Sequence, residues 1–167
     1  MAAPDRRPAA DPTRVVFVCW GNICRSPMAE RVARREAGRA GLHDVVFTSA
    51  GVSSEELGNP MDDRAASTLT DAGYDATDHV AHQIDAAELH AADLVVAMED
   101  LHVRRLRSLD PAADNVFLLT DFDPEAEPGS GLADPWYGSA AGFRDTLAAV
   151  EAAIPGVLDR VRELQRD

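Results

Sequence analysis

"VCWGNICRSP" (residues 18–27) joins an apolar run to a helix-like segment, and it holds both cysteines of the chain, Cys19 and Cys24. Upstream, "RVVFVC" (14–19) is short and largely β-branched, the pattern of a strand buried on both faces. Downstream, "SPMAERVARREAGRAG" (26–41) opens on Ser26-Pro27, the pair expected at an N-cap and first helical position, and ends in glycines. Met28, Val32 and Ala33 supply its apolar stripe. A strand, a turn and a helix in that order put the stretch where open α/β sheets bind their ligands.

The rest of the chain repeats the alternation. Further strands are predicted over 44–51 ("DVVFTSAG"), 93–98 ("DLVVAM") and 115–120 ("NVFLLT"). Helices are predicted over 59–74, 83–92 and 99–109, and from 139 to 166 with Pro155 dividing the last into two segments. A long acidic loop, 121–138, precedes that last region. Unbroken apolar strands alternating with helices imply an α/β, single-domain, doubly wound fold. Its four-stranded parallel sheet is flanked by helices, with the 19–26 loop following the first strand. The opening "MAAPDRRPAADPT" lacks the apolar segment of a secretory signal, so residues 1–13 are expected to be a flexible tail and 14–167 the domain. A cytoplasmic location follows as the default, and export by a route without a signal peptide stays open.

The formal net charge is −13, which disfavours nucleic-acid partners, and no apolar run approaches the roughly 20 residues needed to span a bilayer. Between Arg14 and Arg39, however, six arginines face only two glutamates, Glu30 and Glu36, which suits a small bound anion. All basic residues are arginine. Without a lysine, the P-loop nucleotide site and every Schiff-base mechanism drop out. Two cysteines make no disulfide framework, and no further Cys or His stands near them to complete a zinc site, so neither metal nor cofactor is expected. His79, His82, His90 and His102 show no ligand spacing and read as structural or surface residues.

Reactivity is the better account of the pair. Backbone N–H groups freed by Gly21 and by the helix start can converge on one point and form an anion nest. Arg25 can add a planar fork to two phosphate oxygens. Cys19, last in the strand, puts its sulfur at the floor of that nest, and the dipoles that attract a phosphate also favour a thiolate. Ser26 can hydrogen-bond the sulfur, and Asn22 can brace the loop through its backbone. "ADPWYG" (133–138) offers Asp134 as a proton donor, with Trp136 and Tyr137 to wall a pocket for a flat group. Asp123-Pro124 is a rival acid; the aromatic neighbours favour Asp134. Arg34, Arg35 and Arg39 read most simply as a solvated helix face.

"VCWGNICRSPMAE" together with the late "DPWYG" resembles the low-molecular-weight protein tyrosine phosphatases, over a span from about residue 14 to the C-terminal helix that includes "TSAG" (48–51) and "GNP" with Arg64. The resemblance implies a phosphocysteine intermediate on Cys19, phosphate bound by the 19–26 loop with Arg25, and Asp134 as acid and then base. Trp20, Gly21, Asn22, Ile23, Cys24 and Ser26 then form the phosphate and substrate site with Trp136 and Tyr137, and Ser49 supports the loop. Implied partners are phosphotyrosine-containing proteins, with inorganic phosphate as product and a monomer as the working unit. Cys24 reads either as core filler or, as the family suggests, as a redox partner that bonds Cys19. The sequence departs from the family at Glu55, where many relatives carry an aromatic residue, at Glu99, often Asp, and at Trp20, usually small or aliphatic. Trp136 stands where tyrosine is common. These changes bear on substrate preference and leave the chemistry intact. Arsenate reductases of this shape need further cysteines, and arginine phosphatases carry a small hydroxyl residue at the position of Ile23. A catalytically dead phosphate-binding or redox-sensing module would have no use for Cys19, Arg25 and Asp134 together.

Overall fold

The computed structural model describes residues 11–167. Strands β1 (Thr13–Cys19), β2 (Val45–Gly51), β3 (Leu94–Ala97) and β4 (Val116–Leu118) form one parallel sheet in the order β2-β1-β3-β4. β1 takes in Thr13, one residue before the expected domain start; residues 1–10 of the expected tail lie outside the described residues.

Alternation along β1 builds two cores. Val15, Phe17 and Cys19 point into one apolar cluster, while Val16 and Val18 point into the other. The first cluster lies under helices α1 (Arg25–Arg39), α2 (Asp63–Asp71) and α5 (Ala140–Arg166), the second under α3 (Ala86–Ala91) and α4 (Asp100–Leu109). Burial of strand residues on both faces is what the unbroken apolar runs record. Because β1 is flanked by β2 on one side and β3 on the other, the chain leaves its C-terminal end in a crevice between diverging connections. The loop 20–24 occupies that crevice.

Three local expectations need correction. Pro155 lies inside an unbroken α5. A proline in a helix interior costs about 3 kcal/mol, but Phe143, Leu147, Val150, Ile154, Val157 and Val161 are all buried along this helix. Each contributes roughly 1.5–3 kcal/mol, enough to hold it straight through. Ser26 is not the N-cap of α1: Cys24 is, and Ser26 and Pro27 are the second and third helical residues. The hydroxyl is engaged elsewhere, and proline costs no hydrogen bond in a first turn where N–H groups have no helical acceptor. Likewise α2 begins at Asp63 rather than at 59, capped by Asp62, whose side chain accepts from the amides of Arg64 and Ala65.

Gly51 shows why "TSAG" ends in glycine. It pairs with Cys19 across the sheet, and a Cβ there would sit 2.7 Å from the Trp20 carbonyl and 3.2 Å from the Asn22 nitrogen. Gly38, in contrast, faces open space within α1. Gly51→Ala should therefore destabilise by about 1–3 kcal/mol through overpacking, whereas Gly38→Ala should stabilise by about 0.5–1 kcal/mol. Thermal melts of the two variants, moving in opposite directions, check the assignment.

Candidate active site

Asn22 sits at the centre of the loop, fully buried and in the left-handed region with φ 63°. Asparagine tolerates that conformation better than most residues. Its Nδ2 donates to Ser26 Oγ at 2.9 Å and to Ser49 Oγ at 3.0 Å, and its Oδ1 accepts from the His82 amide at 3.1 Å. Its backbone carbonyl lies 2.6 Å from His79 Nε2. A carbonyl only accepts, so that ring nitrogen carries the proton; burial lowers the pKa of the ring from its ordinary value, which keeps it neutral.

The chain of bonds continues at both ends. Ser49 donates to Glu30 Oε1 at 3.0 Å, and Glu30 Oε2 accepts from Arg31 Nε at 2.7 Å. Ser26 Oγ lies 3.0 Å from Cys19 Sγ; since it already accepts from Asn22, its own proton is free to point at the sulfur. No group among the described residues accepts from the amides of Gly21 to Cys24, so four N–H groups of the loop are open.

Arg25, also buried, has its Nη1 held by the Leu132 carbonyl at 2.7 Å and by Glu99 Oε2 at 3.1 Å. Its Nη2 faces Asp134 Oδ2 at 3.5 Å, and Nε makes no hydrogen bond among the described residues. The Nε–Nη2 edge thus remains available for a bidentate anion. Leu132 is fixed by its amide bond to the Met98 carbonyl, at the end of β3. Asp134 caps the 3-10 turn Pro135–Tyr137, its Oδ1 accepting from the Trp136 amide at 3.0 Å. The rival Asp123 instead closes a turn by accepting from the Glu125 amide.

The remaining expected residues divide. Ile23 and Cys24 bury their side chains in the core, so they offer the site their backbone. Burial, then the negative charge of Asp62, raises the Cys24 pKa well above the ordinary thiol range. Both cysteines are free. Trp136 and Tyr137 are exposed, Tyr137 at 89%. Trp20 is half-buried against the α3/α4 cluster, with its Nε1 donating to Glu55 at 3.0 Å and the Arg105 guanidinium 4.9 Å from the ring centre. Arg34 and Arg35 are more than a solvated face: Arg34 pairs with Glu30 and donates to the Phe47 carbonyl, and Arg35 stacks on Tyr74. Sequence reasoning did not place Glu30 in the assembly, named Glu99 only as a departure from the family, and read His102 as structural or surface, of which the structure bears out the structural reading. The one available signal for Glu30 was an acid among arginines.

Against this geometry, the family model described as low molecular weight phosphotyrosine protein phosphatase matches residues 14–167. Low molecular weight protein-tyrosine phosphatase A of Mycobacterium tuberculosis is 44% identical over 156 residues, covering 92% of this chain and 94% of that protein. The Streptomyces coelicolor low molecular weight protein-tyrosine-phosphatase is 45% identical over 155 residues, covering 90% and 94%. Among solved structures, a protein tyrosine phosphatase from Entamoeba histolytica with Hepes in its active site superposes with a TM-score of 0.85 at 26% identity, covering 92% of this chain and 99% of that one. The chain belongs to the low-molecular-weight phosphotyrosine protein phosphatases. It is therefore a hydrolase, of a family whose catalysis runs through a phosphocysteine.

His102 ties this site to stability. It is fully buried on α4, its Nδ1 accepts from the Glu99 amide at 3.1 Å, and its Nε2 lies 3.7 Å from Glu99 Oε2, too far for a hydrogen bond. Burial first, and the Arg25 charge second, lower its pKa from 6.5 to about 3. The unfolded chain takes up this proton before the folded one, so stability is lost as pH falls below about 6.5. Between pH 6.5 and 5 the wild type should lose about 1.5 kcal/mol more unfolding free energy than His102→Asn. Urea titrations at the two pH values measure it; equal losses would remove His102 as the source.

Proposed function

We propose that this chain removes phosphate from phosphotyrosine residues of proteins, with Cys19 as nucleophile, Arg25 as phosphate ligand and Asp134 as acid and base. The observation that carries the reading is the buried Cys19 sulfur, 3.0 Å from Ser26 Oγ, at the start of a loop whose amides are open and whose Arg25 lies 3.5 Å from Asp134. The Cys19 thiolate attacks phosphorus and forms the S–P bond while the P–O bond to the tyrosine breaks. Asp134 gives its proton to the departing phenolate. Asp134, now a carboxylate, takes a proton from water, which attacks the phosphocysteine and releases inorganic phosphate. The Ser26 hydroxyl, aimed at the sulfur, eases departure of the thiolate. Trp20, Gly21, Asn22, Ile23 and Cys24 shape the bed for the phosphate, and Ser49 braces it through Asn22. The exposed Trp136 and Tyr137 flank the substrate ring. No metal or cofactor is called on in this route.

The route calls on Cys19, Arg25 and Asp134 of a single chain, so a monomer suffices for it. Among the described residues no helix is long and apolar enough to cross a membrane; with the high net negative charge, this supports work in the cytoplasm on protein substrates rather than on nucleic acid or at an anionic membrane surface.

The assignment is tested with Cys19→Ser and Asp134→Asn. Cys19→Ser should be inactive while melting normally; activity surviving there but lost in Cys24→Ser would reverse the roles. Asp134→Asn should lower kcat/KM for phenyl phosphate by about 10²–10⁴-fold, and much less for p-nitrophenyl phosphate, whose leaving group needs little protonation.

Redox control is the finer part of the proposal. Peroxide converts the Cys19 thiolate to a sulfenic acid, and the Cys24 thiol displaces its oxygen as water, leaving a disulfide. Mass spectrometry after mild peroxide should find a 19–24 bridge that dithiothreitol removes. Accumulation of sulfinic or sulfonic Cys19 without that bridge would make Cys24 a core residue only.

A further inference from the structure

Arg64, the second residue of α2, lies outside the loop and yet binds the segment that carries the acid. Its Nε and Nη2 each lie 3.1 Å from the Asp62 carboxylate, and its Nη1 donates to the carbonyls of Trp136 and Gly138, both at 3.3 Å. The flat of its guanidinium lies 4.6 Å from the ring centre of buried Phe143 and 5.3 Å from that of Trp136. One side chain thus joins the start of α2, the start of α5 and the carbonyls of Trp136 and Gly138, within and just after the turn Pro135–Tyr137. The other ties of that turn are the Gly138 amide donating to the Pro135 carbonyl and the Arg25–Asp134 pair. Of its three residues only Pro135 is buried, and Trp136 and Tyr137 face solvent. Asp134 belongs to the same unit through its bond to the Trp136 amide.

We propose that Arg64 is a positioning residue for the proton-transfer step, fixing the 134–138 turn so that the Asp134 carboxyl stands over the phosphate loop. The inference rests on Asp134 being the acid, as set out above. Arginine suits the task because one planar fork grips Asp62 along one edge, reaches two carbonyls from the other and stacks on Phe143 with its face. Lysine has neither the edges nor the face. The phosphate loop has side-chain supports of its own through Asn22, Ser49 and His79. Asp62 meets the loop only through its backbone amide, which donates to the Ile23 carbonyl at 2.9 Å and leaves its carboxylate to Arg64, so the effect of Arg64 should fall chiefly on proton transfer.

The test compares Arg64→Met, Asp134→Asn and the double variant on phenyl phosphate and p-nitrophenyl phosphate, with inorganic phosphate as competitive inhibitor. In Arg64→Met, kcat/KM for phenyl phosphate should fall by about 10- to 100-fold, the scale of a displaced catalytic group. The loss on p-nitrophenyl phosphate should be under about threefold, because that leaving group makes little use of the acid. In the Asp134→Asn background the same change should cost less than about twofold, because both substitutions act on one step. The inhibition constant for inorganic phosphate should stay within about twofold of wild type, since the loop is untouched. Equal losses on both substrates, additivity with Asp134→Asn, or much weaker phosphate inhibition would each overturn the inference while leaving Asp134 as the acid. Equal losses on both substrates in Asp134→Asn itself would overturn the acid assignment and this inference with it. Should Arg64→Met fail to fold, Arg64→Lys is judged by the same criteria, with a smaller selective loss expected because charge is kept and the fork is lost.

Discussion

The site depends on keeping Asn22 in a left-handed conformation with its side-chain amide and its backbone carbonyl fully bonded. Its amide protons go to Ser26 and Ser49, its side-chain oxygen takes the His82 amide, and its carbonyl takes the His79 proton. A buried group left without these partners would cost about 1–3 kcal/mol for each lost bond. Satisfying them all in one place fixes the path of the loop, and with it the direction of the neighbouring amides. An aspartate of the same shape would fail here. It has no proton to give to two hydroxyls whose own hydrogens are committed to Cys19 and Glu30, and it would add a second buried carboxylate beside Glu30.

The loop is held from below by a polar relay and from the sides by ions. Glu30, Ser49, Asn22 and Ser26 form a line of hydrogen bonds that ends at the Cys19 sulfur, with Arg31 and Arg34 balancing the carboxylate at its far end. Arg25 is balanced by Glu99 and faces Asp134, so its charge is compensated where it is buried and reaches outward along one edge only. The arginine-rich segment therefore serves two ends. In the proposed route Arg25 holds the phosphate, while Arg31 and Arg34 further along α1 neutralise Glu30 and Arg35 donates to the Ala72 carbonyl. Net charge along the sequence could not separate those two uses.

What the sequence made legible was local. β1, the loop and α1 follow from an apolar run, a turn and a 3.6-residue stripe, and the four parallel strands fall within a few residues of their expected places. What it hid was decided by partners far along the chain. Glu30 is buried because Ser49 arrives from β2, 19 residues on. α2 starts at Asp63 instead of 59 because the Asp62 carboxylate caps it while also meeting the Arg64 fork. Pro155 leaves α5 intact because the apolar face of that helix is pinned on the sheet, an effect of packing that a propensity rule omits. The choice of Asp134 over Asp123 had a sequence basis in the aromatic neighbours, and the ion pair with Arg25 gives it a geometric one.

Trp20 and Glu55 show how two departures from the family pattern become one unit. Taken singly, an indole beside the nucleophile crowds the loop and an acid in place of an aromatic residue leaves a wall missing. In the fold the indole N–H is bonded to the Glu55 carboxylate, so each explains the other. Arg105 then lies over the ring, within the range where a cation is attracted to an aromatic face, and the ring packs on the α3/α4 cluster. An indole tethered at its nitrogen, covered by a cation and backed by core residues has little rotational freedom. The departures at positions 20 and 55 therefore answer each other within one packed unit, whereas the aromatic pair Trp136 and Tyr137 stands exposed on a turn whose carbonyls meet Arg64.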